Sequence, residues 1–224
     1  MNAMSAITVS HLKRSPQVMR YIEMADLYLE RIDFTEHGLR HGQIVSSLAK
    51  RILATLDYPR RMSELAGVAG FLHDIGNLIN RQAHHISSAL LAKDLLRELD
   101  MPEEEILEVI MAIGNHEEED GELTGEISAA LLLADKADVH RSRVRIHKYS
   151  ELDIHHRVNF AATKSILHVD PKRKEITLRL TIDTQISQVM EYFEIFLSRM
   201  LASRRAAQFL NCRYTLFINR VRLL

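Results

Sequence analysis

The sequence predicts a mainly α-helical protein, with a helical bundle over residues 1–150 and a small α+β region, of order β-β-α-β, over residues 151–224. Two observations support this division. In the first two thirds of the chain, apolar residues recur at the spacing of amphipathic helices. Between residues 175 and 183 apolar and polar residues instead alternate, which is typical of a half-buried strand.

The composition is that of an ordinary globular protein. Of 224 residues, 46% are hydrophobic and 26% are charged, which is enough for a sizeable core. No apolar run is long enough to span a membrane, and the N-terminus lacks the apolar stretch of a secretory signal, so we expect a cytoplasmic protein. The single cysteine, Cys212, excludes an intramolecular disulfide framework and a cysteine-based zinc site.

The net charge of −1 hides an asymmetry along the chain. Residues 1–135 contain 12 Lys+Arg and 22 Asp+Glu, a balance of −10, whereas residues 136–224 contain 17 and 8, a balance of +9. Two surfaces of opposite sign that help the two parts dock would explain this asymmetry. An acidic, cation-binding body beside a basic region that attracts an anionic substrate would explain it as well.

The first two predicted helices of the bundle carry the most informative pattern. The first helix spans "EHGLRHGQIVSSLAKRILATL", and its inward stripe begins at His37 and His41. Pro59 and Ser63 precede the second helix, "SELAGVAGFLHDI". This helix is apolar on most sides, so we expect it to be central and buried, and to stop near Gly76.

Three further helices are marked by their ends. The helix "HHISSALLAKDLLREL" ends before Met101, and Pro102 opens the next, "PEEEILEVIMAIG". The acidic residues of that helix lie in its first turn, where the helix dipole favours them. Thr124 is the predicted cap of a long last helix over residues 125–145.

Beyond residue 150 the pattern changes. Residues 166–170 and 175–183 flank the turn sequence "PKRK" and are predicted to form a hairpin. The segment "ISQVMEYFEIFLSRMLASRRAAQFL" returns to a helical period, with aromatic and methionine side chains expected in the core: Met190, Tyr192, Phe193, Phe196 and Met200. The segment "RYTLFINRVRLL" is the predicted closing strand. This region covers a site, pairs two subunits as a homodimer, or finishes the core.

The segment "GFLHDIGN" places His73 beside Asp74 at the end of the most apolar helix. Burying two ionisable side chains costs several kcal/mol unless something compensates, and metal coordination is one compensation that is strong enough. Imidazoles and carboxylates together suit Mn, Fe, Co, Ni or Zn better than calcium or magnesium. Other polar residues interrupt the apolar pattern elsewhere: His41, His84, His85, His116 and Asp135. Taken singly, each of these histidines also fits a cap or a surface residue, and Asp135 also fits an ion pair with Lys136.

The order His41, His73-Asp74, Asp135, in the contexts "HGLRHGQIV", "FLHDIGN" and "LLLADKAD", resembles the HD-domain superfamily of metal-dependent phosphohydrolases. The resemblance covers roughly residues 30–150. It implies an HD-domain helical bundle in which these four residues bind a divalent metal. It also implies catalytic roles for His73 and Asp74, and Asp74 is the residue able to bridge to a second ion.

Two more histidines bear on the number of metal ions. In binuclear members of the superfamily, histidines between the HD pair and the final Asp hold the second metal, and His84 and His116 match those regions. His85, adjacent to His84, is the less favoured choice. The alternative is one metal ion, with these histidines acting on the substrate. Asn77 stands where the branch that hydrolyses c-di-GMP has a lysine, and the "HHE" and "GYP" motifs of that branch are absent, which argues against this activity.

The resemblance implies hydrolysis of a phosphate ester bond in a nucleotide or another small phosphorylated compound by metal-activated water. The substrate's charge requires cationic partners. On one continuous helix, Lys136 and Arg143 would lie about 100° and about 80° from Asp135 on the same side, so both are predicted to bind substrate. Arg143 fits a solvated helix end equally well. For His37, one turn before the first predicted ligand, three roles are open: metal binding, contact with the phosphate and capping of its helix. A substrate contact or a cap is favoured.

Two rival functions stay open at this point. A non-catalytic HD signalling or ligand-binding module is disfavoured, because such a module does not need all four core ligands. A di-iron oxygenase on the same scaffold uses the same ligands for oxygen chemistry. We expect a small phosphorylated substrate as the partner, no membrane, and no nucleic acid, since the sequence contains no recognition motif for it.

Overall fold

The computed structural model describes residues 6–118, 121–145 and 153–224, and this part of the chain contains nine α-helices and one four-stranded sheet. The helices are α1 (Val9–Arg14), α2 (Pro16–Arg31), α3 (Leu39–Thr55), α4 (Arg60–Leu72), α5 (His84–Glu98), α6 (Glu103–Gly114), α7 (Glu126–Lys136), α8 (Ile154–Ala161) and α9 (Val189–Phe209). The strands are β1 (Ala162–Asp170), β2 (Glu175–Ile182), β3 (Arg213–Ile218) and β4 (Val221–Arg222). The predicted fold class, a helical bundle followed by a small α+β region, is confirmed.

Helices α3 and α4 form a closely packed pair at the centre of the bundle. A Cβ atom at Gly70 would lie 2.8 Å from the backbone nitrogen of Ser46, and a Cβ atom at Gly42 would lie 3.3 Å from a carbonyl oxygen of α4. Glycine at these positions therefore allows the two backbones to approach each other. The approach brings His41 of α3 beside His73, which follows α4.

Helix α4 ends at Leu72, earlier than the end near Gly76 that the sequence predicts. His73 is its C-cap, and a 3₁₀ turn over Ile75–Leu78 follows. The α-helix stops because α5 lies against this turn: a Cβ atom at Gly76 would collide with the backbone of α5. The backbone nitrogen of Gly76 also donates to Oγ of Ser88 at 2.7 Å, which fixes the turn against α5.

Helix α7 is also shorter than predicted. Its N-cap is Gly125 rather than Thr124, and it ends at Lys136 instead of continuing to residue 145. Arg143 lies on a separate 3₁₀ turn, Arg141–Arg143. The predicted helical angle between Asp135 and Arg143 is therefore wrong.

Contacts with distant residues explain why the chain turns after α7. The hydroxyl of Ser165, on β1, donates to the carbonyl of Ala137. The next carboxylate, that of Asp138, binds Arg40 and His41 of α3. A continued helix would break both contacts, so interactions with β1 and α3 set the end of α7.

The sheet has the strand order β1-β2-β3-β4. Strands β1 and β2 form the predicted antiparallel hairpin, and β1 begins at Ala162, before the predicted start at residue 166. Helix α9 connects β2 to β3, which pair in parallel. The sequence predicts one closing strand where the structure has the antiparallel pair β3 and β4, because Asn219 and Arg220 adopt positive φ and turn the chain. Helix α8 has no counterpart in the sequence-based prediction.

The C-terminal region packs on the bundle. One cluster of buried apolar side chains continues from α1 to β3. Tyr192, Phe196 and Met200 of α9 are buried, and Phe193 packs against the cluster, as predicted. Met190, which was expected in the core, is 64% exposed. Helix α9 therefore joins the two parts of the chain into one core.

Two expectations concern the chain as a whole. The predicted boundary at residue 150 lies outside the described residues, so the division into residues 1–150 and 151–224 stays a prediction. Within residues 6–118, 121–145 and 153–224, no helix is both long enough and apolar enough to cross a membrane.

We expect Gly70→Ala to destabilise the protein by ~1–3 kcal/mol, because the added methyl group would collide with backbone atoms of Ser46. Gly114→Ala is the matched control. It adds the same methyl group to α6, where the nearest atom is Ala89 Cβ at an ordinary 3.7 Å, and we expect no loss of stability there. Urea unfolding measures both variants. Equal unfolding free energies would contradict the close packing of α3 on α4.

Candidate metal centre

The six predicted metal ligands come together at one buried site. They are His41 in the first turn of α3, His73 and Asp74 after α4, His84 at the start of α5, His116 after α6 and Asp135 near the end of α7. Each of them is exposed by 9% or less. Because they lie in the terminal turns of helices or just beyond, their side chains reach one site without distorting a helix.

A first group of ligand atoms surrounds His41. Its Nε2 atom lies 3.2 Å from Nε2 of His73 and 3.2 Å from Oδ1 of Asp135. The Oδ2 atom of Asp74 lies 3.4 Å from Nε2 of His41 and 3.2 Å from Nε2 of His73. The ligand atoms of His41, His73 and Asp74 are therefore close enough together to share one ion, and Oδ1 of Asp135 lies within 3.7 Å of both imidazole nitrogens.

A second group shares Asp74 with the first. Nε2 of His84 lies 3.1 Å from Oδ1 of Asp74 and 3.2 Å from Nε2 of His116. The two oxygens of Asp74 thus face different groups, as a bridging ligand requires. Glu117, which the sequence analysis does not single out, adds a carboxylate oxygen 3.2 Å from Nε2 of His84. His85 lies farther away, with its ring centroid 6.3 Å from that of His116.

Hydrogen bonds of two histidines fix which ring nitrogen is available to a metal. Nδ1 of His73 donates to the carbonyl of Gly70 at 3.0 Å, and Nδ1 of His116 donates to the carbonyl of Ile113 at 2.7 Å. Nε2 is then the metal-binding atom of each ring, and these atoms face the cluster. In the described part of the chain, the buried Oδ2 of Asp74 has no hydrogen-bond partner. This donor set fits a divalent transition metal.

The charges of the centre shift the pKa values of its residues. Burial raises the pKa of a carboxyl group. The charge of His73 outweighs this effect at Asp74, and the charge of Lys136 outweighs it at Asp135, so the pKa values of both carboxyl groups lie well below their usual range. Burial lowers the pKa of His73, but the two carboxylates outweigh it and raise this pKa to about 10. Burial, followed by the charge of His73, lowers the pKa of His116 well below its usual value. The centre therefore offers two carboxylates and the neutral imidazole of His116 to a cation, which would displace the proton of His73 on binding.

Asp138 supports the centre and is missed by the sequence analysis. Its carboxylate accepts a hydrogen bond from Nδ1 of His41 at 2.8 Å and two from Arg40 at 3.0 and 3.1 Å. A carboxylate in this position orients the imidazole and directs Nε2 toward a metal. The sequence does carry a signal, because "LLLADKAD" contains this second Asp three residues after Asp135.

Lys136 and Arg143, two predicted substrate-binding residues, lie beside the centre. Lys136 lies on the same helix as Asp135, whereas Arg143 reaches the site from a separate 3₁₀ turn. Nζ of Lys136 is 2.8 Å from Asp135 and 2.6 Å from Glu118, so the ion pair with Asp135 is present together with the clustered ligands. Arg143 donates to two backbone carbonyls at 3.1 and 2.7 Å. Among the described residues, its buried Nη2 atom has no hydrogen-bond partner.

His37, the third predicted substrate-binding residue, is buried beside the same site. Its Nδ1 donates to the carbonyl of Thr35 at 2.7 Å, and its ring centroid lies 5.3 Å from that of His41. Burial, followed by the charge of Arg143, lowers the pKa of His37 well below its usual range, so the imidazole is neutral. A small cavity here is lined by His37, Asp74, Arg81, His84, His116, Glu117, Asp135, Lys136, Arg143 and Arg199. Arg199, which the sequence analysis also misses, belongs to α9 of the C-terminal region.

Comparisons with known proteins agree with the resemblance in the sequence. Residues 34–142 match the HD domain family, and this range includes all six predicted ligands. Over 204 residues the chain is 26% identical to an uncharacterized protein of Methanocaldococcus jannaschii, in an alignment that covers 80% of this chain and 78% of that protein. Because 80% of the chain is more than residues 1–150 contain, this similarity extends into the C-terminal region.

We expect purified protein supplied with Mn, Co or Ni to bind at least one ion per chain, and His73→Ala to lose most of it, because Nε2 of His73 belongs to the first group of ligand atoms. His168→Ala is the matched control, since His168 is exposed on β1. Metal content per chain, measured by mass spectrometry, compares the variants. A wild-type protein without metal after this treatment would contradict the metal centre.

We expect Asp138→Asn to weaken metal binding by ~10–100-fold while the protein stays folded, because the variant loses the charge that orients His41. Asp94→Asn, on the exposed side of α5, is the control and should bind metal as the wild type does. Titration with Mn²⁺ gives the affinities, and circular dichroism checks the fold. An unchanged affinity for Mn²⁺ would contradict the role of Asp138 in orienting His41 and would leave it only its ion pair with Arg40.

Proposed function

Residues 34–142 belong to the HD-domain family, and from this premise we propose that the protein is a metal-dependent phosphohydrolase. It cleaves a phosphate ester bond of a small phosphorylated compound in the cytoplasm, and nucleotides are the first class of substrate to test. One observation carries this proposal: a buried set of imidazoles and carboxylates lies beside a cavity into which cationic side chains extend.

The donor set has room for two ions in this proposal. His41, His73 and Asp135 would hold the first ion and His84 and His116 the second, and Asp74 would contribute to both. Such ions, drawn from Mn, Fe, Co, Ni and Zn, supply Lewis acidity that lowers the pKa of a coordinated water and neutralises charge on a phosphate. The two oxygens of Asp74, each within 3.2 Å of a different histidine, support the binuclear arrangement. A single ion would leave the second pair of histidines to act on the substrate.

The chain's own residues bind and orient the substrate. Arg143 is fixed by two hydrogen bonds to backbone carbonyls, so its Nη2 atom donates to a phosphate oxygen with little loss of side-chain entropy. Lys136 is held between Asp135 and Glu118 and neutralises part of the negative charge that would otherwise repel a phosphate. His37, neutral and with Nδ1 already donating, keeps Nε2 as an acceptor for a hydroxyl group of the substrate.

A substrate screen tests the proposed function. Protein loaded with each of the five metals is incubated with p-nitrophenyl phosphate, nucleoside phosphates and sugar phosphates, and released phosphate is measured. We expect turnover with at least one metal and no turnover after chelation. Oxygen consumption by the iron-loaded protein without phosphate release would instead favour the oxygenase. Metal binding with neither activity would favour a non-catalytic module.

We expect Asp135→Asn to lower kcat/KM at least ~100-fold, because it removes a charged ligand, and loss of even an outer partner of a ligand costs ~10–100-fold. The variant keeps the volume of the side chain, and circular dichroism of the metal-free protein checks that it stays folded. Asp94→Asn, far from the centre, is the control. Full activity of Asp135→Asn would remove Asp135 from the centre and contradict the proposed mechanism.

A further inference from the structure

Arg199 lies on α9, outside the residues that match the HD domain family, and its side chain reaches the candidate metal centre. It lines the small cavity beside the predicted ligands and also a neighbouring cavity of about 450 Å³. His37 and Arg143 line both cavities as well. These three side chains therefore mark the junction between the metal centre and the larger cavity.

Two contacts hold the guanidinium of Arg199 and leave most of its donors unused. The group lies 4.6 Å from the ring centroid of Phe196, where α9 departs from helical geometry, and its Nε atom lies 3.3 Å from Oε1 of Glu118. An arginine has five N–H donors. In the part of the chain that the structure describes, the Nη atoms of Arg199 form no hydrogen bond. A side chain that is fixed in this way is ready to bind a ligand.

The junction is arranged to receive an anion. Arg143 presents a buried Nη2 atom that has no hydrogen-bond partner within the described residues, and Arg199 lies at the same junction. Burial, and with it the positive charge of Arg199, lowers the pKa of Arg143, which reflects how close the two cations are. Two guanidinium groups at one cavity repel each other, and an anion that accepts hydrogen bonds from both relieves the repulsion.

We propose that Arg199 binds the phosphate of the substrate together with Arg143, so that the C-terminal region forms part of the active centre. The inference rests on the proposed function, because it takes the substrate to be a phosphate ester. The larger cavity, between residues 32–37, α8 and α9, then holds the organic part of the ester, and its volume is within the range of small-molecule sites. Arg199 is therefore a specificity-determining residue, because it selects esters whose phosphate reaches both arginines.

Binding of inorganic phosphate to the metal-loaded, full-length protein tests the role of Arg199 without knowledge of the substrate. Titration calorimetry should show a Kd at least ~10-fold higher for Arg199→Gln than for the wild type, because a charge-assisted hydrogen bond is lost, and partial recovery for Arg199→Lys. Arg205→Gln is the matched control. Arg205 is exposed on the same helix and contacts the backbone of Glu118, but lines neither cavity. Its Kd should stay within ~2-fold of the wild-type value.

A second variant separates phosphate binding from the ion pair with Glu118. Glu118→Gln removes the carboxylate and leaves Arg199 in place. If Arg199 acts only through this ion pair, both variants should weaken phosphate binding equally. Under the proposal, Glu118→Gln weakens phosphate binding much less than Arg199→Gln does, because the guanidinium keeps its charge and its contact with Phe196. Melting temperatures of all variants check that α9 stays docked.

The outcomes for Arg199 and for the proposed function are distinguishable. Equal phosphate affinities of the wild type and Arg199→Gln, or no phosphate binding by the metal-loaded wild type, would overturn the role of Arg199. A wild type that binds phosphate through Arg199 but hydrolyses no ester would instead refute the phosphohydrolase. If the wild type hydrolyses p-nitrophenyl phosphate, Arg199→Gln should raise KM at least ~10-fold and change kcat much less, since the lost contact is also present in the bound substrate.

Discussion

Three carboxylates, those of Asp74, Asp135 and Asp138, are buried where α3, α4 and α7 meet. A buried carboxylate without a partner costs several kcal/mol, so each must be surrounded by donors or cations. Asp138 is bound by Arg40 and an imidazole, Asp135 lies beside Lys136, and imidazoles approach Asp74 from two sides. The helices end where they do because their terminal residues must reach these charges. The arrangement of the bundle thus follows from the need to compensate buried negative charge.

The charge asymmetry along the chain has two consequences in the structure, and they involve the same residues. Lys136 and Arg199, from the basic part, contact Glu118 of the acidic part, and Arg145 pairs with Asp26. The contact of Arg199 with Glu118 holds the C-terminal region against the bundle, whereas the contacts of Lys136 and Arg145 lie within the bundle. Lys136 and Arg199 also line the cavity at the candidate metal centre. The sequence analysis offers two explanations of the charge asymmetry: docking of oppositely charged surfaces, and a basic region beside a cation-binding body. The structure is compatible with both at once.

The sequence predicts most of the fold and the candidate ligands, because short stretches of sequence contain enough information to identify both. Each of the six ligands is a polar residue within an apolar pattern, and such a residue is visible without knowledge of the fold. The ends of helices depend instead on contacts between residues that are far apart in the sequence. Helix α7 stops because Asp138 binds residues of α3, almost a hundred positions earlier in the chain. Arg199 is hidden for the same reason, since its neighbours in sequence give no sign that it reaches Glu118. Helix α8 and the turn before β4 are too short to leave a clear periodicity.

The hydrogen bonds of His73 and His116 link the end of a helix to the chemistry of the centre. In both cases Nδ1 donates to the carbonyl three residues earlier, in the last turn of an α-helix. The same bond completes the helix and decides the tautomer of the ring. Extending α4 by one turn would give the carbonyl of Gly70 a backbone donor that competes with Nδ1 of His73. The position where α4 ends thus bears directly on the chemistry of the candidate centre, so an insertion there should be tolerated no better than loss of His73 itself.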